Sequence, residues 1–286
     1  MLLMKWILDL SSRVAVCVLP AHKAEWYGIQ FHRREHYAIG ASLLARLLHH
    51  NRLGGAGLAY LASSLWKLGD QARAERLFDE AERWGEDLLW VYYVRSCRET
   101  ERALARGETG GKAAHYSRAT YELACREHNE GVLQESLIGL AACTGDSQEA
   151  EALYRQVLSR EPHYFEALYG LGLLKARQES WDEAVMLFRQ AAEVNKQDAK
   201  VQYELGNALC GSEWDAAEQH FRKALRQGFK NRPRALYGIA YCAFHRGERA
   251  KAADYASQAL KCRPEYDLPR LLLEELQETS EGTKSS

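Results

Sequence analysis

The sequence predicts an all-α protein in which antiparallel helical hairpins follow one another along the chain. Apolar and small residues recur with a period of 34 residues through most of the sequence. Each half of a period carries its apolar residues at i, i+3, i+4 and i+7, which is the spacing of an amphipathic helix. Only five prolines occur among 286 residues, and 47% of the residues are apolar, so helices with a buried face are possible.

The clearest period runs over residues 165–198. Residues 177–180 form a polar segment between its two halves, which predicts a turn between two helices. The small residues Gly172 and Ala184 predict close approach of the two helix backbones, and the large apolar residues predict the filling between hairpins. The apolar and small positions of the two halves are Leu168, Leu171, Gly172, Trp181, Ala184, Phe188 and Ala191.

The same pattern recurs in both directions from this period. It is strong over 131–164, 199–232 and 233–266, good over 55–88, and weaker over 21–54. The remaining stretch, 89–130, is one period plus eight residues long. It predicts helices over 90–105 and 113–126, with the additional residues in an expanded loop between them.

The order of residue types in one period is Leu…Leu-Gly…aromatic or aliphatic…Ala…Phe…Ala…Pro. This order and the 34-residue period resemble the tetratricopeptide repeat (TPR) family over residues 21–266, as about seven repeats. The resemblance implies a right-handed α-solenoid of antiparallel helical hairpins, the TPR-like superhelix. It also implies a protein that binds other proteins and has no enzymatic activity.

The expected organisation has five parts. Residues 1–20 form an apolar N-terminal extension, and residues 21–130 hold the first repeats with the expanded third unit. Residues 131–266 hold four well-matched repeats, and residues 267–278 form a capping helix. Residues 279–286 lack the apolar side chains needed for packing, so a disordered tail is expected there.

The apolar start of the chain is a poor export signal and a poor membrane-spanning helix. Asp9 and Arg13 interrupt its apolar run. Packing on the end of the fold is the favoured interpretation, and peripheral contact of residues 1–19 with a membrane or a partner is the alternative. The seven cysteines include no Cys-x-x-Cys pair, which fits a reducing, cytoplasmic compartment.

The stretch ARGETGGKA, residues 105–113, is similar to a phosphate-binding loop but lacks its requirements. Gly107 and Gly111 are separated by three residues where the motif needs four, and Ala113 stands where Ser or Thr would bind magnesium. The segment HRREH is not the zinc-protease motif, and Gly-x-Ser-x-Gly does not occur in the sequence. The sequence therefore predicts no cofactor, no metal and no catalytic residue.

Three tyrosines, Tyr169, Tyr203 and Tyr237, are spaced one 34-residue period apart in the first helix of consecutive repeats. In tetratricopeptide arrays this place faces the concave groove, so the resemblance implies an aromatic partner-binding surface. Packing of adjacent helices is the alternative role of the three rings. The further groove residues implied by the resemblance are Arg177, Lys200, Asn207, Arg234, Tyr241 and Phe244.

The favoured function is a scaffold or adaptor that binds a peptide or helix of a partner, for example in the assembly of a bacterial multiprotein machinery. The alternative is a chaperone-like or regulatory subunit that masks a segment of a client. Nucleic-acid binding is less favoured, because 38 basic and 39 acidic residues leave a net charge of −1. Glu135 and Glu204 occupy places where carboxylate-binding members of the family need cationic or amide groups, so that clamp is not expected.

Overall fold

A computed structural model describes residues 21–50 and 53–282, and within these ranges every regular element is an α-helix. The prediction of an all-α helical repeat is confirmed. The helices are α1 (Ala21–Arg33), α2 (Tyr37–His49), α3 (Gly55–Lys67), α4 (Gln71–Trp84), α5 (Leu88–Arg106), α6 (Gly111–Arg126), α7 (Glu130–Cys143), α8 (Ser147–Arg160), α9 (Phe165–Arg177), α10 (Trp181–Val194), α11 (Ala199–Leu209), α12 (Trp214–Arg226), α13 (Arg232–His245), α14 (Arg249–Cys262) and α15 (Asp267–Gly282).

The chain divides into two compact units, Met1–Glu149 and Ala150–Ser286. The sequence instead suggested a division at residues 130/131, after the expanded repeat. The difference arises because the long hairpin α5–α6 is fully integrated in unit 1. Helix α5 packs against α3, α4 and α7, and α6 also packs against α7.

From α1 to α7 and from α9 to α15, helices that are adjacent in the sequence contact each other. The first helix of a hairpin in these ranges also contacts the first helix of the next hairpin. Unit 1 contains the hairpins α1–α2, α3–α4 and α5–α6, and unit 2 contains α9–α10, α11–α12 and α13–α14. Each hairpin therefore buries its apolar face against its neighbours, which is the packing scheme of a repeat protein.

Close packing inside the hairpins of unit 2 depends on glycine facing phenylalanine. Phe188 and Phe221, on the second helices, are fully buried. A Cβ atom on Gly172 would lie 2.6 Å from the ring of Phe188, and one on Gly206 would lie 2.7 Å from the ring of Phe221. Each ring thus fills the space left by a glycine, and burial of one such side chain contributes about 1.5–3 kcal/mol.

The hairpin of the expanded repeat differs from the predicted one. Only residues 107–110 separate α5 from α6, and the additional residues lengthen the helices to 19 and 16 residues. The expected expanded loop is therefore wrong. The run ETERALAR is rich in strong helix formers, so α5 continues until Gly107, whose φ of 66° ends the helix in the left-handed region.

The end of the chain is more helical than predicted. Helix α15 continues to Gly282, so residues 279–282 are not part of a tail, and residues 283–286 lie outside the described range. Leu272 and Leu276 of α15 pack with Ala240 and Ala256 of the last hairpin. The predicted extension over 1–20 also lies outside the described residues, and none of the described helices has the length and hydropathy to cross a bilayer.

An ion-pair network ties the last two hairpins of unit 2 together. The buried carboxylate of Glu218 on α12 accepts hydrogen bonds from Arg222, 2.7 Å away, from Lys251 on α14, 2.9 Å away, and from Arg246 after α13. Burial by itself raises the pKa of Glu218, but the hydrogen bonds from Lys251, Arg222 and Arg246 outweigh it and lower the pKa to about 2.

Candidate functional site

The first helices of three consecutive hairpins in unit 2 lie side by side, because α11 contacts both α9 and α13. We call the surface formed by α9, α11 and α13 the first-helix face. Tyr169, Tyr203 and Tyr237 stand at the same place on these three helices, and each is half-buried. One part of each tyrosine side chain is therefore exposed on this face, and the other part is buried against neighbouring side chains.

Two of the tyrosine rings rest on the phenylalanines of their own hairpins. The ring centroids of Tyr169 and Phe188 are 5.9 Å apart, and those of Tyr203 and Phe221 are 5.6 Å apart. Tyr169 also stacks parallel to Phe165, at 6.2 Å. These contacts fix the ring orientations, so the tyrosines are rigid features of the surface.

A first cluster of groove residues surrounds Tyr203. The ring of Phe229, in the loop after α12, stacks on Tyr203 with centroids 4.4 Å apart and planes within 12°. Asn207 lies near Tyr203 and donates a hydrogen bond to Glu204 Oε2 at 3.1 Å. Arg234 of α13 lies near both Tyr203 and Glu204, so an amide, a guanidinium and a carboxylate meet around one aromatic pair.

Glu204 gives this cluster an unusual electrostatic character. Burial raises the pKa of the Glu204 carboxyl above its ordinary value, although the Asn207 hydrogen bond and the Arg234 charge oppose the shift. Burial, followed by the nearby Glu204 and Asp198 carboxylates, raises the pKa of Tyr169. The carboxylate is thus poorly solvated and lies near Tyr169 of α9 and Arg234 of α13, which favours contact with a donor or a cation.

A second cluster lies on α13 and is almost entirely aromatic. Tyr237 and Tyr241 are one helical turn apart, with ring centroids at 5.9 Å. His245 follows one turn later and stacks on Trp214 of α12 at 4.5 Å, while Tyr241 meets the same histidine edge-on at 4.4 Å. Phe244 contacts His245 edge-on at 5.4 Å. Burial, with smaller effects from neighbouring acidic groups, raises the pKa of Tyr237 to about 12.

The structure brings most of the predicted groove residues together, but not all. Asn207 and Arg234 join Tyr203, and Tyr241 joins Tyr237. Arg177 and Lys200 are exposed, at the end of α9 and near the start of α11, and belong to neither cluster.

Glu204, Phe229, Trp214 and His245 were missing from the predicted set. Glu204 precedes Asn207 by three residues, so helical spacing places both on one face and was a usable signal. Phe229 lies in a loop, where the repeat pattern assigns no place.

Unit 1 carries a related arrangement on its own first helices. Tyr93 of α5 occupies the same place in the longer hairpin, and its hydroxyl donates to the carboxylate of Glu135 on α7. The Arg33 guanidinium lies over the ring of Tyr60 on α3, 6.0 Å from its centroid. Tyr93 and Glu135 hold the same place in consecutive repeats, but they are 42 residues apart. A search at the 34-residue period therefore passes over Tyr93.

Part of this chain matches a known family model, and its fold is similar to that of a solved structure. Residues 144–199 and 211–267 match the tetratricopeptide repeat family model. A tetratricopeptide repeat protein of Parabacteroides merdae superposes with a TM-score of 0.61 at 14% identity, covering 90% of this chain and 98% of that one. MamA of Desulfovibrio magneticus, residues 41 to the end, superposes with a TM-score of 0.48 at 20% identity, covering 62% of this chain and 97% of that one. A search of curated proteins found no match.

Proposed function

Since residues 144–199 and 211–267 match the tetratricopeptide repeat family, we propose that this chain is a protein-interaction scaffold whose first-helix face in unit 2 binds a peptide segment or a helix of a partner protein. Tetratricopeptide repeats generally act by binding other proteins, without chemistry of their own. The observation that carries the proposal is the row of half-buried tyrosines on α9, α11 and α13, bordered by Asn207 and Arg234. Within the family this place belongs to the ligand groove.

The composition of the face supports a peptide ligand. Rigid aromatic rings offer contact area at a low cost in conformational entropy. Asn207 and Arg234 supply donors for the carbonyl groups or carboxylates of an extended segment. Glu204 supplies an acceptor for a cationic side chain or a backbone N–H. An apolar side chain flanked by polar groups of both signs therefore fits better than a strongly anionic segment.

The proposed setting is the cytoplasm, where the protein acts as an adaptor in the assembly of a multiprotein machinery. The cysteines of the described range are thiols, which agrees with a reducing compartment. A chaperone-like role, in which the same face masks a client segment, is distinguished by the stability of the bound partner when the scaffold is absent.

The test removes polar groups of the face and leaves the packing intact. Replacement of the tyrosines by alanine would also remove ring contacts with Phe188 and Phe221, so we choose Asn207→Ala with Arg234→Ala. Arg226→Ala, on the exposed end of the second helix α12, is the matched control. We expect affinity purification from native cells to recover a partner with the wild type and the control, and at least about tenfold less with the double variant.

Circular dichroism must first show equal helix content for all three proteins. A partner that is retained in full by the folded double variant contradicts binding at the first-helix face. A partner that survives in cells only when the scaffold is present supports the client-masking form of the proposal.

A further inference from the structure

The lengthened helix α5 creates a cavity in unit 1. Lys67, the last residue of α3, pairs with Glu101 at 2.5 Å, so the five residues of α5 after Glu101 extend past the end of α3. Three arginines, Arg98, Arg102 and Arg106, follow one another at four-residue spacing along α5. The cavity has a volume of about 400 Å³, and its lining includes Trp66, Lys67, Gln71, Arg98, Arg102 and Arg106.

Arg98 is the most unusual of these residues because it is only 4% exposed. Its guanidinium lies over the ring of Trp66, 3.2 Å from the centroid. Nε and Nη2, which form one edge of the guanidinium, are buried and have no acceptor in the described part of the chain. Burial lowers the pKa of Arg98 to about 10, with nearby carboxylates opposing the shift. A buried cation with two unused donors is rare in a stable protein without a ligand.

The other two arginines are only loosely paired. Arg102 lies 3.7 Å from Glu99 and 3.8 Å from Glu75, and Arg106 lies 3.8 Å from Glu108. These N–O distances are longer than a hydrogen bond, so the guanidinium groups of both arginines can still donate hydrogen bonds to a ligand. The lining of the cavity holds four cations and one carboxylate, that of Glu101.

We propose that this cavity, the arginine cavity, binds the phosphate group of a phosphate monoester. A phosphate monoester carries nearly two negative charges and three acceptor oxygens, and planar guanidinium groups bind such oxygens in pairs. A single carboxylate has only two oxygens and one charge, so it would leave donors of Arg102 and Arg106 unused. The phosphate belongs either to a phosphorylated side chain of a partner or to a phosphorylated small molecule, and the proposal is independent of the first-helix face in unit 2.

Isothermal titration of the full chain in phosphate-free buffer at low salt tests the proposal. Inorganic phosphate should bind saturably with a stoichiometry of one, and succinate should bind at least about tenfold more weakly. Arg102→Gln with Arg106→Gln should weaken phosphate binding at least about tenfold. Arg73→Gln with Arg76→Gln, on the exposed surface of α4, removes the same charge and should leave binding unchanged.

Two further probes identify the source of the phosphate and the site. A short peptide that contains phosphoserine should bind more tightly than glycerol 3-phosphate if the ligand is a protein side chain, and the reverse order indicates a small molecule. Phosphate should change the tryptophan fluorescence of the wild type and not that of Trp66→Phe, because Arg98 covers that ring.

Three results would overturn the proposal. The first is the absence of saturable phosphate binding by the folded wild type. The second is equal weakening by the cavity variant and the α4 variant, which would indicate a general charge effect. The third is succinate binding as tight as phosphate binding, which would exclude selection of a phosphate group.

Discussion

Glu218 shows how a single carboxylate can stabilise a repeat array. Its side chain is 7% exposed, and the cations that surround it come from α12, from the end of α13 and from α14. A buried charge is costly unless it is paired, and removal of one partner leaves the others uncompensated. Glu218 therefore contributes to the stability of unit 2 only while it is ionised.

We expect Glu218→Gln to lower the free energy of unfolding by about 3 kcal/mol at pH 7, the equivalent of the pKa shift. The folded pKa, about 2, lies below the ordinary value of 4.5. The contribution of Glu218 is thus complete above pH 4.5 and is lost as the pH falls from 4.5 towards 2. Urea unfolding of unit 2 at several pH values measures it, with Glu193→Gln on the exposed surface of α10 as the control. A difference that stays constant down to pH 2 would argue against this mechanism.

The candidate site could be predicted from the sequence only in part. The period placed Tyr169, Tyr203 and Tyr237 on equivalent helical positions, since spacing along a helix determines which face a residue occupies. The ring partners were not predictable in the same way. Phe229 stacks on Tyr203 from a loop, and a loop residue has no fixed place in the helical period. Which face of the tyrosine ring becomes covered therefore depends on three-dimensional packing.

At the scale of elements, the fit of glycine against phenylalanine sets the distance between the two helices of a hairpin. We expect Gly206→Ala to destabilise unit 2 by about 1–3 kcal/mol, because the new methyl group would lie 2.7 Å from Phe221 and a packed core resists additional volume. Gly131→Ala on α7 is the control. The new Cβ atom would lie 3.9 Å from its nearest neighbour, which is an ordinary contact, and alanine forms helices better than glycine does.

Denaturant unfolding measured by circular dichroism compares the two glycine variants. Equal stability of Gly206→Ala and the wild type would mean that the Phe221 ring moves aside without cost, and the proposed packing constraint would then be incorrect.

The helices themselves were predictable because their apolar stripes are regular. The location of the eight additional residues was not, since a count along the sequence gives their number and not their conformation. Glycines at 107, 110 and 111 suggested a long loop, but the strong helix formers before Gly107 extend α5 instead. The arginine cavity depends on this extension and was therefore not predicted either.

At the scale of the whole molecule, each of the two compact units has core clusters of its own among the described residues. Unit 2 holds its own clusters around Phe188, Phe221 and Leu272. The period continues through 131–266 without interruption, so it does not indicate a division inside α8. Compactness depends on contacts between elements, whereas the period reports only the residue types within each element.

We expect a fragment of residues 147–286, which begins with α8, to fold without unit 1. Its circular dichroism spectrum should be helical, and its thermal unfolding should be cooperative, because its hairpins pack against one another and α15 covers the last of them. A fragment that lacks a cooperative transition would show that unit 2 needs unit 1 in order to fold.

The neighbour-only packing of the hairpins has a mechanical consequence. A pulling force applied to the two ends of unit 2 loads its inter-hairpin contacts in series, so each contact carries the whole tension and the weakest one yields first. Release of one hairpin of 34 residues lengthens the chain by about 120 Å at most, while the hairpins that remain keep their own contacts. Unit 2 is thus built as an extensible element that can yield in steps under tension.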